Sequence, residues 1–327
     1  MRGGPVGMGA GVEVRGFRTG DGAALVEAWA RAVPHDPITP RWFRDKVLLD
    51  ANFDPDCLRV AVRGDEILGA AYGVRRLVPM AGLDLQPAQG WIPFFFVVPG
   101  ARRAGLGRRL VTEVLDRLRD HGCTRVDFSS YTPHYLLPGL DEETYPEAAG
   151  LLGGLGFRTL HEVAAMDRTL VGHRMPEKVE RRYAELVGLG HRFGTPSDDD
   201  LVDLLRLAAD EFSADWADAV RRSLAAGTPV ERIVAVRAPE GDLVGWAMHG
   251  AYDGIGERFG PFGVHARQRG SGLGQVLLHL TLGRMRASGL HGAWFLWTGE
   301  DSPAGRLYRG AGFTTTRRFR VLRREDA

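Results

Sequence analysis

The chain has only two cysteines in 327 residues, Cys57 and Cys123, each inside an apolar stretch. That scarcity excludes a disulfide framework and a Cys-based metal site, and both thiols are expected to be buried. Long apolar runs are missing too. No stretch approaches the roughly 20 residues a membrane span needs, and the opening MRGGPVGMGAG lacks a hydrophobic signal core. A cytoplasmic protein is therefore expected, with residues 1–11 as a disordered tail and no metal cofactor. Charge of one sign is also absent: 42 basic against 41 acidic residues leave a formal +1, dispersed along the chain. That balance argues against nucleic acid or an anionic membrane as a partner.

What the chain does have is an internal repeat. VVPGARRAGLGRRLVTEVLDRLRDHGCTRVDF from Val97 aligns without a gap to VHARQRGSGLGQVLLHLTLGRMRASGLHGAWF from Val264. Each segment reads as strand, Gly-rich turn, helix, strand. Farther on, GLLGGLGF ending at Phe157 matches GRLYRGAGF ending at Phe313, a short helix stopped by glycine before a new strand. Upstream, each half carries a hairpin pattern, joined at Gly64-Asp65 and near Glu240-Gly241-Asp242. Helical patterns precede the hairpins, with Asp21 and Ser197 as expected caps. Pro176 opens a charged helical segment, MPEKVERRYAEL. The expected organisation is an N-terminal domain over 12–172, a connecting helix over 173–187 and a C-terminal domain over 188–327. Each domain would be a mixed, mostly antiparallel sheet flanked by helices in an α/β fold.

The repeated motif V-x-x-x-x-R-x-x-G-x-G falls at Val97, Arg102, Gly105, Gly107 and at Val264, Arg269, Gly272, Gly274. A turn of small residues at a helix start leaves backbone N–H groups converging on one spot, where the helix dipole adds positive potential, so a pyrophosphate can sit there. Two familiar alternatives fail on the residues. A P-loop needs Gly-Lys-Ser/Thr, but Arg108 and Gln275 follow the last glycines; the dinucleotide fingerprint needs a third glycine where Leu110 and Leu277 stand.

On these motifs the chain resembles the GNAT superfamily of acetyl-CoA-dependent N-acetyltransferases, and its tandem layout resembles the mycothiol synthase type. The resemblance implies that the turns bind the CoA pyrophosphate. In the first half it implicates Val97, Arg102, Arg103, Ala104, Gly105, Leu106, Gly107 and Arg108. In the second half it implicates Val264, Arg269, Gly270, Ser271, Gly272, Leu273, Gly274 and Gln275. It also implies that Val97 and Val264 end strands that splay to admit the pantetheine arm and offer N–H groups to the thioester carbonyl. The family's Asn-x-x-Ala, Tyr and Gly-Phe correspond here to Asp301, Ala304, Tyr308, Gly312 and Phe313. Tyr308 would then protonate the departing thiolate and touch the cofactor, with Asp301 replacing the usual Asn near the pantetheine.

The first half departs from the pattern, because Leu152 stands where Tyr308 stands in the second. Its longer connection, SSYTPHYLLPGLDEETYPEA, offers Tyr131, His134 and Tyr145 as substitute donors. For the general base, Glu257 at the start of the strand entering the second turn comes first, then His249. Phe94, Phe95 and Phe96 are expected in the sheet core, or else lining an acceptor pocket. Acceptor contacts are sought in residues 34–56 and 210–227, where Asp210, Glu211, Asp215 and Asp218 suit a cationic amine or form a solvated face. The expected activity is acetyl transfer from acetyl-CoA to a primary amine of a small molecule by direct attack in a ternary complex, centred on the second half. A non-catalytic acyl-CoA sensor or scaffold and a protein N-acetyltransferase remain as alternatives.

Overall fold

The computed structural model describes residues 11–325, so residues 1–10 of the expected tail lie outside the described residues. Along the first half run β1 (Glu13–Gly16), α1 (Asp21–Ala32), α2 (Pro40–Phe43), β2 (Leu58–Arg63), β3 (Glu66–Arg75), β4 (Gln89–Val97), α3 (Leu106–Asp120), β5 (Arg125–Phe128), α4 (Pro146–Gly153) and β6 (Arg158–Thr169). The second half continues with α5 (Glu177–Gly188), β7 (Arg192–Gly194), α6 (Leu201–Glu211), α7 (Ala214–Ala225), β8 (Ile233–Arg237) and β9 (Leu243–His249). It closes with β10 (Phe259–Val264), α8 (Leu273–Ala287), β11 (Gly292–Thr298), α9 (Pro303–Gly310) and β12 (Thr314–Glu325). Both expected hairpins form, with Gly64 and Gly241 in the left-handed conformation their turns require. Ser197 opens its helix through a capping box with Asp200. Asp21 is not the cap: Gly20 holds that place, and Asp21 is the first helical residue, accepting from the Arg18 N–H and from Arg15.

The chain divides into two compact units: residues 11–79, 84–162 and 319–325 among those described, and Met80–Leu83 with Val163–Arg318. In the first unit β1, β2, β3 and β4 pair antiparallel in that order, β4 pairs parallel with β5, and β5 pairs antiparallel with the end of β12. In the second unit β7, β8, β9 and β10 form an antiparallel sheet, and β11 pairs antiparallel with β6. The last strand of each sequence half thus completes the other unit. Arg323 fixes β12 in the first unit through a two-pronged pair with Asp127, at 2.7 and 3.0 Å.

Helix α3 is strongly amphipathic and buries Leu110, Val111, Val114, Leu115 and Leu118 on the sheet of the first unit. Its counterpart α8 is apolar over more of its circumference and also buries His279 and Thr281. Helix α5 packs along α8 and buries Val179 and Leu186 in the same core.

Cys57 and Cys123 are free and buried, as expected. The fold brings Asp54 and His121 to Cys57 with candidate ligand atoms within 4.8 Å, a grouping that spacing along the chain does not reveal. Burial pushes the Cys57 thiol up to about 12, with Asp54 adding to the effect and Arg75 and Arg117 opposing it.

His279 stacks on His173 at 5.5 Å inside the second unit, and burial lowers its pKa to about 4, with the neighbouring His173 and Arg168 adding to the effect. The folded state therefore holds His279 neutral. Stability from this site is fully present above the unfolded value near 6.5 and is lost as pH falls from there towards 4. The loss should approach about 3 kcal/mol. Urea unfolding between pH 7 and 4 is expected to show this decline, and His279→Leu should flatten it; an unchanged slope in the variant would contradict the assignment.

Candidate active site

In the first unit, β4 and β5 pair from Gln89 with Arg125 to Ile92 with Phe128, and the Ser129 N–H adds one more bond to the Ile92 carbonyl at 2.8 Å. Pairing then stops. The register between β3 and β4 shifts between Tyr72 and Val74, opposite residues 91–94, and Ser129 turns the chain away with φ at 60°. Beyond this point β4 runs on to Val97 with its edge facing a cavity of about 590 Å3 rather than a strand. That volume lies within the range of small-molecule sites.

Phe94, Phe95, Phe96 and Val97 form one wall of the cavity, Trp29 and Phe128 add rings, and the Gly-rich turn closes one side with Arg102, Arg103, Gly105, Leu106, Gly107 and Arg108. The turn is shaped as its sequence requires: Gly105 caps α3 at φ 78° and Arg103 is also left-handed at 66°. A Cβ at Gly107 would meet Leu151 Cδ1 at 3.0 Å, so glycine keeps helix and turn close there. Arg102 ties the turn down by donating to the Val97 carbonyl at 3.0 Å and the Ala32 carbonyl at 2.8 Å. Arg103 pairs with Glu147 at 2.8 Å, and Arg108 reaches the Gly154 carbonyl at 3.2 Å. Ala104 is exposed between them.

The second unit repeats this frame with a different filling. Gly272 caps α8 at φ 86°, and Gly270 is left-handed at 82°. Among the described residues, the one isolated bridge between the β10 and β11 segments is Arg258–Trp294, just before β10 begins. Aromatic rings occupy the space between them. Tyr308 lies 4.4 Å from Phe295 on β11 and 6.1 Å from Phe262 on β10, with Phe259 and Phe313 at 6.0 and 5.6 Å. Tyr308 is 8% exposed, and burial raises its pKa well above the ordinary phenol value. Its counterpart is Leu152: the Phe157 N–H donates to the Leu152 carbonyl at 3.1 Å as the Phe313 N–H donates to that of Tyr308 at 3.0 Å.

The residues implicated in the second half separate in space. Val264, Leu273 and Gly274 sit at the turn, where Gly274 faces Phe262, Leu307 and Val264. Arg269 and Gly270 are exposed, with Ser271 and Gln275 half-buried. Asp301 is different: its carboxylate is fully exposed beside Arg309. Glu257 precedes β10 at the end remote from the turn, and its carbonyl accepts from the Trp294 N–H at 2.9 Å. His249 is buried at the same end, its Nδ1 2.9 Å from the Gly256 carbonyl, and burial lowers its pKa.

Two side chains at this turn, Arg182 and Phe212, carried no sequence signal, and a third, Glu211, stood out only as one of four acids suited to a cationic amine. Arg182 on α5 donates to the Ser271 carbonyl through Nε at 2.8 Å and Nη2 at 2.6 Å. Phe212 lies flat on Gly263, where a Cβ would stand 2.2 Å from its ring. Glu211 accepts from the Ala266 N–H at 3.1 Å and faces His265 at 3.3 Å. The four acids near there divide between α6 and α7, and Asp218 faces Arg221 and Arg222. Of the substitute donors in the first half, Tyr145 borders the cavity. Tyr131 is buried and accepts from Asn52 Nδ2 at 2.8 Å, which gives it a packing role, and His134 packs against it.

Tyr308→Ala removes a ring from a closed aromatic cluster and is expected to cost about 3–5 kcal/mol, whereas Tyr308→Phe keeps the ring and should cost less than about 1 kcal/mol. Chemical denaturation measures both, and a large loss in the Phe variant would mean that the hydroxyl itself stabilises the cluster.

The family model for the acetyltransferase (GNAT) family matches this chain twice, over residues 24–134 and 201–313. No curated protein matches it. Among solved structures, the chain is similar to the GCN5-related glucosamine N-acetyltransferase region of a fungal multi-domain GH3 beta-N-acetylglucosaminidase, with a TM-score of 0.79 and 17% identity over 96% of this chain. It spans 38% of that longer protein. A GCN5-related N-acetyltransferase from Sphaerobacter thermophilus follows, with a TM-score of 0.70, 19% identity, and 96% and 95% of the two chains covered. A tandem GNAT protein from the clavulanic acid biosynthesis pathway gives a TM-score of 0.62 at 18% identity, covering 96% and 98%. At these identities the likeness is one of fold, and the two family matches, which fall on the two Gly-rich turns, carry the assignment: the chain belongs to the acetyltransferase (GNAT) family and holds two tandem copies of its domain.

Proposed function

We propose that this protein transfers the acetyl group of acetyl-CoA to a primary amine of a small molecule, by direct attack in a ternary complex, and that the first unit binds the donor. The observation that carries this reading is the cavity between the diverging ends of β4 and β5, which closes on the Gly-rich turn. A donor laid there would place its pyrophosphate on the N–H groups opening α3, with Arg103 and Arg108 adjacent. Its arm would run along the unpaired edge of β4 and bring the thioester among Phe94, Phe96 and Phe128.

The chemistry asks little of the protein beyond position. An amine nitrogen that has first given one proton to water is held in line with the thioester carbonyl and forms the new C–N bond, and a backbone amide at the end of β4 stabilises the oxyanion. Collapse breaks the C–S bond as the second nitrogen proton passes to the departing thiolate. The leaving thiolate is the anion of a group with an ordinary pKa near 8.5, so the absence of a tyrosine at Leu152 does not stop it from departing. Tyr145 is the phenol at this cavity.

A second reading, turnover in the second unit, rests on Tyr308, whose burial keeps the phenol protonated between β10 and β11. There Tyr308 would protonate the thiolate and Glu257 would accept the amine proton. For a donor arm to enter, the ring cluster would have to move.

Titration calorimetry with acetyl-CoA separates the two. Gly107→Glu puts a charged side chain where Leu151 already stands within contact of a Cβ, and is expected to abolish binding, while Gly274→Glu should leave a site of near wild-type affinity. The reverse pattern would move the donor site to the second unit. A wild-type protein that gives neither heat nor thermal stabilisation with acetyl-CoA would defeat the acyltransferase reading.

A further inference from the structure

Away from the cavity, the first unit gathers three metal-ligating side chains from two elements. Asp54 and Cys57 stand at the two ends of a single 3-10 turn that leads into β2, and His121 caps the C-terminal end of α3. Their ligand atoms, one from each residue, all lie within 4.8 Å of one another. Cys57 is 1% exposed and forms the floor of the group, whereas the Asp54 and His121 side chains are partly exposed. The Asp54 Oδ1 caps the turn by accepting from the Asp56 N–H at 2.9 Å, and its Oδ2 faces His121 Nε2 at 4.0 Å. None of the three is among the residues lining the cavity.

We infer that Asp54, Cys57 and His121 form a binding site for a divalent cation of the zinc class, which clips the end of α3 to the start of β2. The site stands apart from the proposed donor cavity, and neither reading depends on the other. A thiolate, an imidazole and a carboxylate are the ligand types zinc takes, and this set needs one cysteine, so the scarcity of cysteine in the chain does not forbid it. The spacing fits as well. Three atoms no more than 4.8 Å apart share a point within about 2.8 Å of each, and zinc asks for about 2.0–2.3 Å, so a shift of under about 1 Å per ligand closes the site. Partly exposed Asp54 and His121 have the freedom to make that shift, and a water on their side fills the fourth position. As the sulfur–metal bond forms, the thiol proton leaves to solvent, and thiolate plus carboxylate balance the dication. Arg75 and Arg117, which act on the thiol electrostatically, favour the thiolate while opposing the cation. Magnesium and calcium, which take oxygen ligands, are poorly served by such a set.

The test titrates the reduced, metal-free full chain with Co2+, which takes the place of zinc in such sites and reports a bound thiolate by a sulfur-to-metal charge-transfer band in the near ultraviolet. Cys57 and Cys123 are the two cysteines of the chain, so the band identifies its ligand. The band is expected to rise to saturation with equimolar Co2+, to vanish when equimolar Zn2+ is added, and to survive an excess of Mg2+. Cys57→Ala should lose the band and Cys123→Ala should keep it. His121→Ala, at an exposed position, should weaken Co2+ binding at least about tenfold. The wild-type titration needs no variant to fold. Absence of the band in the wild type, its persistence in Cys57→Ala, its loss in a folded Cys123→Ala, or an undiminished Co2+ affinity in His121→Ala would each overturn the assignment.

Discussion

The parting of β4 from β5 after Ile92 is the constraint on which the functional half of this structure depends. Up to that residue two parallel strands satisfy each other's backbone groups. Past it, Ser129 leaves the sheet in a left-handed turn, and the edge of β4 faces a cavity. An unpaired strand edge is normally a liability, because its N–H and C=O groups must find partners or water. Here the edge is aromatic on its cavity side and lies under α1 and the residues after β5, so it suits an extended, amide-bearing ligand that can take the place of the missing strand.

The second unit has the same Gly-rich turn, and what differs is the filling around it. One substitution marks the change: Tyr308 stands where the first half has Leu152, and its ring joins Phe259, Phe262, Phe295 and Phe313 in a closed cluster. Around the second turn, Arg182 bridges to Ser271, Glu211 takes the Ala266 N–H, and Phe212 covers Gly263. Each of these contacts lies on the approach to the turn and packs it from its own unit. Two copies of one motif thus keep the same backbone while their surroundings differ.

Much of the architecture was legible in the sequence because it follows from local rules. The gapless repeat, the glycines that cap α3 and α8, the Gly64 and Gly241 hairpins and the Ser197 capping box are set by neighbours a few residues away, and all appear where the pattern puts them. The Asp21 cap missed by one residue, since an acid serves the first helical turn as well as the cap, and Gly20 supplied the left-handed conformation. The cavity was not legible. Phe94, Phe95 and Phe96 read equally as sheet core or as a pocket wall, and the outcome depends on whether β5 continues alongside them. Asp36 and Tyr145, 109 positions apart, meet only because α1 and α4 flank one wedge.

By itself the sequence determined the duplication and the two Gly-rich turns, because each is a short-range pattern in which spacing dictates backbone geometry, and those motifs carried the resemblance to the family. Tertiary structure alone decided which wedge is open and which is filled, where Asp301 and Glu257 stand relative to the turns, and that β6 and β12 each complete the other unit's strands. Those outcomes turn on packing between residues far apart in the chain, where a leucine and a tyrosine are equally acceptable to the helix that carries them and differ only in the space they leave.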